Sequence, residues 1–230
     1  MEKKFIMIMT SIVLLLAIGL GLRLFLMPPY EKGDIIEFGG ATWIVLEATR
    51  NTKLIVSEYA LESRAYHSEE VDITWADSDI RRWLNDEFYN RFTEEERSQI
   101  AETRLTNSDN PWFYGLGGQD TIDKIFLLSL EEVLIHFGNI RQIPPSGLTG
   151  EDQFGIFGQF DDSLATTDLD GAFSWWWLRS PGVVDSFAMI VVDKLTAAGV
   201  DELPVAGVSV SGSPVDSNMF GVRPAMWINL

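Results

Sequence analysis

The chain contains no cysteine and only two histidines in 230 residues. The first absence removes disulfides, thiolate metal sites, a thiol nucleophile and a lipidated cysteine. The two histidines, His67 and His136, are far apart in sequence and His136 sits between Ile135 and Phe137, so neither a His-based triad nor a zinc centre, which takes about three protein ligands or more, is expected. Basic residues are also scarce: 17 Lys and Arg stand against 34 Asp and Glu, a formal charge of −17. A surface of that sign repels phosphate backbones, so nucleic acid is excluded as a partner. With 46% apolar residues, a chain of this length has room for one ordinary domain and a short appendage.

The appendage is at the start. Phe5 to Leu22 carries no charge, and after Arg23 the apolar run resumes to Met27. As a helix, 5–27 spans about 35 Å, enough to cross a hydrocarbon core of about 30 Å. Arg23 lies near one end, where its stem carries the guanidinium to the headgroups. Lys3 and Lys4 flank the other end and hold it in the cytoplasm by the positive-inside rule. The run exceeds the roughly 7 to 15 apolar residues of a secretory signal, and no A-x-A-like site precedes Pro28 and Pro29, so an uncleaved anchor is read in preference to a cleaved leader. The expected organisation is a cytoplasmic stub (1–4), a transmembrane signal anchor (5–27), a linker (28–33) and an extracytoplasmic domain (34–230).

Within that domain, 34–57 reads as a meander of strands, with turns at Gly39-Gly40 and Arg50-Asn51-Thr52. Ile80, Trp83, Leu84 and Phe88 recur at helical spacing behind Asp77 and Ser78. Thr93-Glu94-Glu95-Glu96 and Ser129-Leu130-Glu131-Glu132 both carry the capping-box pattern of a helix start. After Phe137 some thirty-five residues lose periodicity, which suggests a functional surface loop. Strands are expected at 187–192, 205–210 and 222–230, the last opening at an edge or bulge because Pro224 cannot donate to a ladder. Trp175, Trp176 and Trp177 alternate faces if extended, leaving at least one ring turned from the main core.

Five spaced segments carry a resemblance: Gly33 to Gly40, Thr74 to Asn85, Asn110 to Ser129, Trp176 to Gly182 and Gly221 to Leu230. Together they resemble a bacterial family of uncharacterised domains (DUF6273-like) with WWLRSPG and closing GVRPALWLNL motifs. That closing pattern in turn looks like the one in C-type-lectin-like domains of the formylglycine-generating and retroelement-diversified kind. The resemblance implies an α+β, C-type-lectin-like mixed domain with paired terminal strands and a long central loop as its binding face. Formylglycine-generating relatives use cysteines for their metal-dependent oxidation; this chain has none, so that activity is not carried over.

Several groups are candidates for function. Trp112 and Tyr114, set among Pro111, Gly115, Gly117 and Gly118, offer a stacking surface for a sugar ring or a buried loop anchor. Asp161, Asp162, Asp168 and Asp170 are oxygen ligands of the type calcium takes, without the EF-hand order. Phe154, Phe157 and Phe160 pin the same stretch to the core. His67 with Glu69, Glu70 and Asp72 reads as a solvated acidic loop before a divalent-ion site. Arg179 and Arg223 read first as structural cations, Arg179 stacked on indole and bonded to buried carbonyls or to a carboxylate such as Asp123, with anion binding as the alternative. Ser180-Pro181-Gly182 reads as a turn. Binding residues are therefore expected at Trp112, Tyr114, Asp161 and Asp162, with no catalytic residue, metal ligand or cofactor assigned.

The expected function is a membrane-anchored, extracytoplasmic binding or interaction module for an envelope carbohydrate or protein. Its partners would be the lipid bilayer, through 5–27, and that ligand. A hydrolase using paired carboxylates and a purely structural envelope component are the alternatives.

Overall fold

The computed structural model describes residues 29–138, 155–157, 160–172, 174–192 and 206–230. The anchor segment 5–27 and Phe154 lie outside these residues. Among the described residues no helix is long and apolar enough to cross a membrane.

Strands β1 (Ile35–Phe38), β2 (Ala41–Ala48) and β3 (Thr52–Ser57) form the expected antiparallel meander. Gly39 and Gly40 take φ of 59° and 74° at its first turn. A Cβ on Gly39 would sit 2.1 Å from the Phe92 ring, so this turn demands glycine for both backbone and space. Next come β4 (Glu62–Ser63) and helix α1 (Asp79–Trp83), which Ser78 caps by accepting from the Arg81 amide. The predicted helix continues only as a π-helical turn (Leu84–Phe88). Here the Asn85 side chain donates to the carbonyl of Arg81 at 3.1 Å and to that of Ile125 at 2.8 Å. A side chain inserted into the helical ladder loosens it in this way.

Helices α2 (Glu94–Gln99) and α3 (Leu130–His136) both begin in complete capping boxes, at Thr93 with Glu96 and at Ser129 with Glu132. Between them β5 (Thr103–Leu105) and β6 (Thr121–Asp123) pair as a small ribbon. The stretch read as irregular contains β7 (Gly155–Phe157) and a 3-10 turn (Asp162–Leu164). It is followed by β8 (Trp176–Pro181), β9 (Phe187–Val192), β10 (Gly207–Pro214), β11 (Gly221–Val222) and β12 (Ala225–Asn229).

Two larger sheets result, one in the order β1-β2-β3-β12 and one in the order β4-β11-β8-β9-β10-β7. Trp43, Ile55 and Met226 from the first sheet meet Trp176, Trp177 and Val208 from the second in a single apolar core, with the buried run Ile125 to Leu128 and the helices. The fold is therefore mixed α+β, dominated by sheet.

Two expectations are corrected, and the ring expected to turn from the core is Trp175. The terminal strands are not partners: β1 pairs with β2 and β12 with β3, so they form opposite edges of one sheet. The cause lies at Arg223-Pro224, where the chain leaves the six-stranded sheet and delivers β12 to β3, the Ser57 amide donating to the Pro224 carbonyl at 2.9 Å. Ser180 and Pro181 end β8 and do not form a turn. A register shift between Trp177 and Pro181 leaves proline where no ladder donor is needed. Trp176 and Trp177 are both fully buried, because β8 has core on each face; their indoles donate to the carbonyls of Leu164 and Arg64 at 3.2 and 2.9 Å. The half-exposed ring is Trp175, just before the strand, which stacks on Phe220 with centroids 6.2 Å apart.

Candidate functional site

The break at Arg223-Pro224 places one residue between the two sheets. Arg223 is 1% exposed, and its guanidinium lies over the rings of Trp176 and Phe137, 5.2 and 5.6 Å from their centroids. Nε donates to the Ser57 carbonyl at 2.7 Å, and Nη1 to the carbonyls of Ser163 and Leu164 at 3.0 and 3.3 Å. Nη2 has no acceptor among the described residues. No carboxylate there comes within ion-pair distance; Glu58 and Asp161 act on the charge only from farther off. Burial consequently pushes the guanidinium down from its ordinary value to about 9, against the opposing pull of those two acids. A charge kept from water without an ion-pair partner is an unusual feature of a core.

Arg223 lines a recess of about 420 Å³. One wall is the first hairpin, where Ile35 and Ile44 are cross-strand partners. Another is the segment after the 3-10 turn, with Ala165, Thr166 and Thr167; Glu58 and Tyr59 follow β3 into the same space. Thr166 fixes this arrangement by donating its hydroxyl to the Glu58 carbonyl at 2.7 Å. The Glu58 amide donates to Thr42 at 2.9 Å, so the backbone of Glu58 is held from both sides. Its half-buried carboxylate makes no hydrogen bond or ion pair among the described residues. The recess thus joins apolar walls to one cation and one anion, neither neutralised at contact distance.

Asp161 lies beside this recess. Its Oδ1 accepts from the amide of Ser163 at 3.1 Å and from the Ser163 hydroxyl, capping the 3-10 turn whose carbonyls hold Arg223. Its Oδ2 is 3.9 Å from Lys32. Asp162 is exposed in that turn. Asp168 spends Oδ1 on the amides of Asp170 and Ala172 at 3.0 and 2.9 Å. Among the described residues no group of three or more His, Asp or Glu is placed to hold a metal ion.

Trp112 and Tyr114 lie elsewhere. Asn110 is the pivot of their loop: its side-chain amide donates to Pro181, Gly182 and Val210, and its Oδ1 accepts from the amides of Trp112 and Phe113. Trp112 is half-buried against the core, whereas Tyr114 projects with 87% of its surface exposed. This loop meets β8 at Pro181 and the Asp161 turn meets it at Trp176, so the length of the strand, roughly 16 Å, separates the two pairs of expected binding residues. They do not form one site.

Arg179 is the counter-example to Arg223. It pairs with Glu132, Nη1 at 2.5 Å and Nη2 at 3.1 Å, and donates to Leu127, Asn107 and Thr106 as well. Its ring neighbour is Phe126, not an indole. Asp123 is instead taken by Arg81, Trp75 and Thr121. A second, polar cleft of about 350 Å³ lies between Asp77 and Asp86, but Arg81, Arg82 and Asn85 in it are already bonded within the protein.

Two sheets around a shared core, with an arginine-lined recess where they part, define a mixed α+β domain. A family model, Domain of unknown function (DUF6273), matches residues 50–230, and the chain belongs to that family. The match starts beyond β2, so the GDIIEFGG opening is outside it. No curated protein and no solved structure matches the chain.

Proposed function

We propose that this chain is a binding module, anchored in a lipid bilayer by 5–27, with a C-type-lectin-like domain on the extracytoplasmic side that takes an envelope carbohydrate or protein as ligand in the Arg223 recess. The observation that carries this reading is Arg223, buried and bonded through Nε and Nη1, whose Nη2 has no acceptor among the described residues beside a recess of about 420 Å³. A planar guanidinium edge of this kind is a donor matched to a ligand carboxylate or carbonyl. The anchor reading is supported by the charge-free run from Phe5 to Leu22 and by Lys3 and Lys4 at its start.

The absence of cysteine makes the placement testable at one atom. Asn218→Cys, at an exposed position, is expected to react with a membrane-impermeant maleimide on intact cells. Protection until lysis would overturn the extracytoplasmic placement. For the recess, the full chain in detergent is titrated with envelope glycan fragments and short peptides. Binding is expected to be lost in Ala165→Phe, which fills the cavity; binding indifferent to that change would overturn the recess as the ligand site.

A further inference from the structure

We propose that the recess selects a small zwitterion of amino-acid to dipeptide size, its carboxylate on the Nη2 edge of Arg223 and its ammonium on Glu58, with an apolar side chain against Ile35, Ile44 and Ala165. This rests on the reading of the recess as the ligand site and narrows it to one chemical class.

Charge balance makes the choice. A simple anion entering the recess would gain Arg223 but face Glu58 and Asp161, the two acids that act on that arginine, in a chain of net charge −17. A simple cation would gain Glu58 and meet Arg223. A neutral sugar could hydrogen-bond both groups through its hydroxyls but would bring no opposite charge to either. A ligand bearing both signs satisfies each group without adding net charge. Its carboxylate meets a guanidinium, the planar donor suited to it. The volume of about 420 Å³ is at the small end of the 300 to 1,000 Å³ range of ligand pockets, and the cross-strand pair Ile35 and Ile44 supplies the apolar wall that an aliphatic side chain needs.

The geometry is also built in advance. Ser57, Ser163 and Leu164 fix three of the guanidinium hydrogens through their carbonyls, and Thr166 and Thr42 fix the Glu58 backbone. The guanidinium and the backbone that carries Glu58 are therefore held before any ligand arrives, which lowers the ordering cost of binding.

Isothermal titration of the full chain in detergent with L-leucine and L-alanyl-L-leucine tests this, with leucinamide lacking the carboxylate and N-acetylleucine lacking the ammonium. At least one of the two zwitterions is expected to bind saturably, and its two blocked analogues tenfold or more weakly. Glu58→Gln, at a carboxylate that makes no hydrogen bond or ion pair among the described residues, should erase the preference over N-acetylleucine while leaving the chain folded, as read by its melting transition. Arg223→Lys should erase the preference over leucinamide. Equal binding of leucine and N-acetylleucine, or a preference unchanged by Glu58→Gln, would overturn the zwitterion. Failure of both zwitterions to bind at millimolar concentration would do the same. Binding of N-acetylglucosamine that is lost in Ala165→Phe would overturn the zwitterion too, yet leave the recess standing as the ligand site.

Discussion

Arg179 and Arg223 are both almost wholly buried, 5% and 1% exposed, and both reach backbone carbonyls, but among the described residues only Arg179 has a carboxylate at contact distance. Helix α3 lies between them: its first turn offers Glu132 to Arg179, and Phe137, just past its last turn, lies under Arg223. The difference separates two uses of the same side chain. Arg179 ties 106–107, 127, α3 and β8 together and has spent its charge on Glu132. Arg223 ties Ser57 to 163–164 and keeps one edge unspent.

The contrast predicts unequal losses on truncation. Arg179→Ala leaves the Glu132 carboxylate without its cation in a half-buried setting and strips acceptors from the core, so urea denaturation should register about 3 to 5 kcal/mol of lost stability. Arg223→Met removes a buried charge that no carboxylate matches, keeps the volume, and leaves only carbonyls short of a donor; the loss should stay below about 2 kcal/mol. A larger loss at Arg223 than at Arg179 would break the comparison and return Arg223 to a purely structural role.

Which of these features could be read in advance follows from the range of the signal. The capping boxes at Thr93 and Ser129 are contained in four residues, and both formed as expected. The strand Phe187–Val192 is a continuous apolar run and also formed as expected. Both arginines stood out as charges among apolar neighbours, but their partners did not: Glu132 is 47 residues from Arg179, and no local pattern distinguishes it from Asp123. The recess was invisible for the same reason. It gathers residues from before β1, after β3, after the 3-10 turn and before β12, segments with no shared period. At Trp112 and Tyr114 the glycine-rich spacing marks a loop and says nothing of where Asn110 fastens it.

A smaller effect sharpens the role of α3. Oε2 of Glu132 serves twice, accepting from the Ser129 amide at 2.8 Å and from Arg179 at 2.5 Å. The corresponding box at Thr93 has no such outside cation; its Glu96 accepts instead from Thr93 and the Gly39 amide, contacts that hold its carboxyl below the usual range. Loss of either cap should cost about 1 kcal/mol. In double-mutant cycles with Arg179→Lys, Ser129→Ala should couple by more than about 0.5 kcal/mol, whereas Thr93→Ala should be additive. Additivity at both caps would mean that Arg179 and the α3 cap are independent.

The smallest effect is a dependence on pH at the other end of α3. His136 is buried, and desolvation holds its pKa below the ordinary 6.5 against the pull of Glu132 and Glu47 and alongside the push of Lys32. Above that ordinary value the imidazole is neutral in both folded and unfolded chains. As pH falls through it, the unfolded chain takes up a proton that the folded chain resists until its own lower pKa is reached, so stability declines on the acid side. His136→Gln, neutral at every pH, should flatten the part of the stability profile just below pH 6.5, as read by urea midpoints. An unchanged profile would place the acid sensitivity elsewhere and remove the last asymmetry between the two ends of the helix.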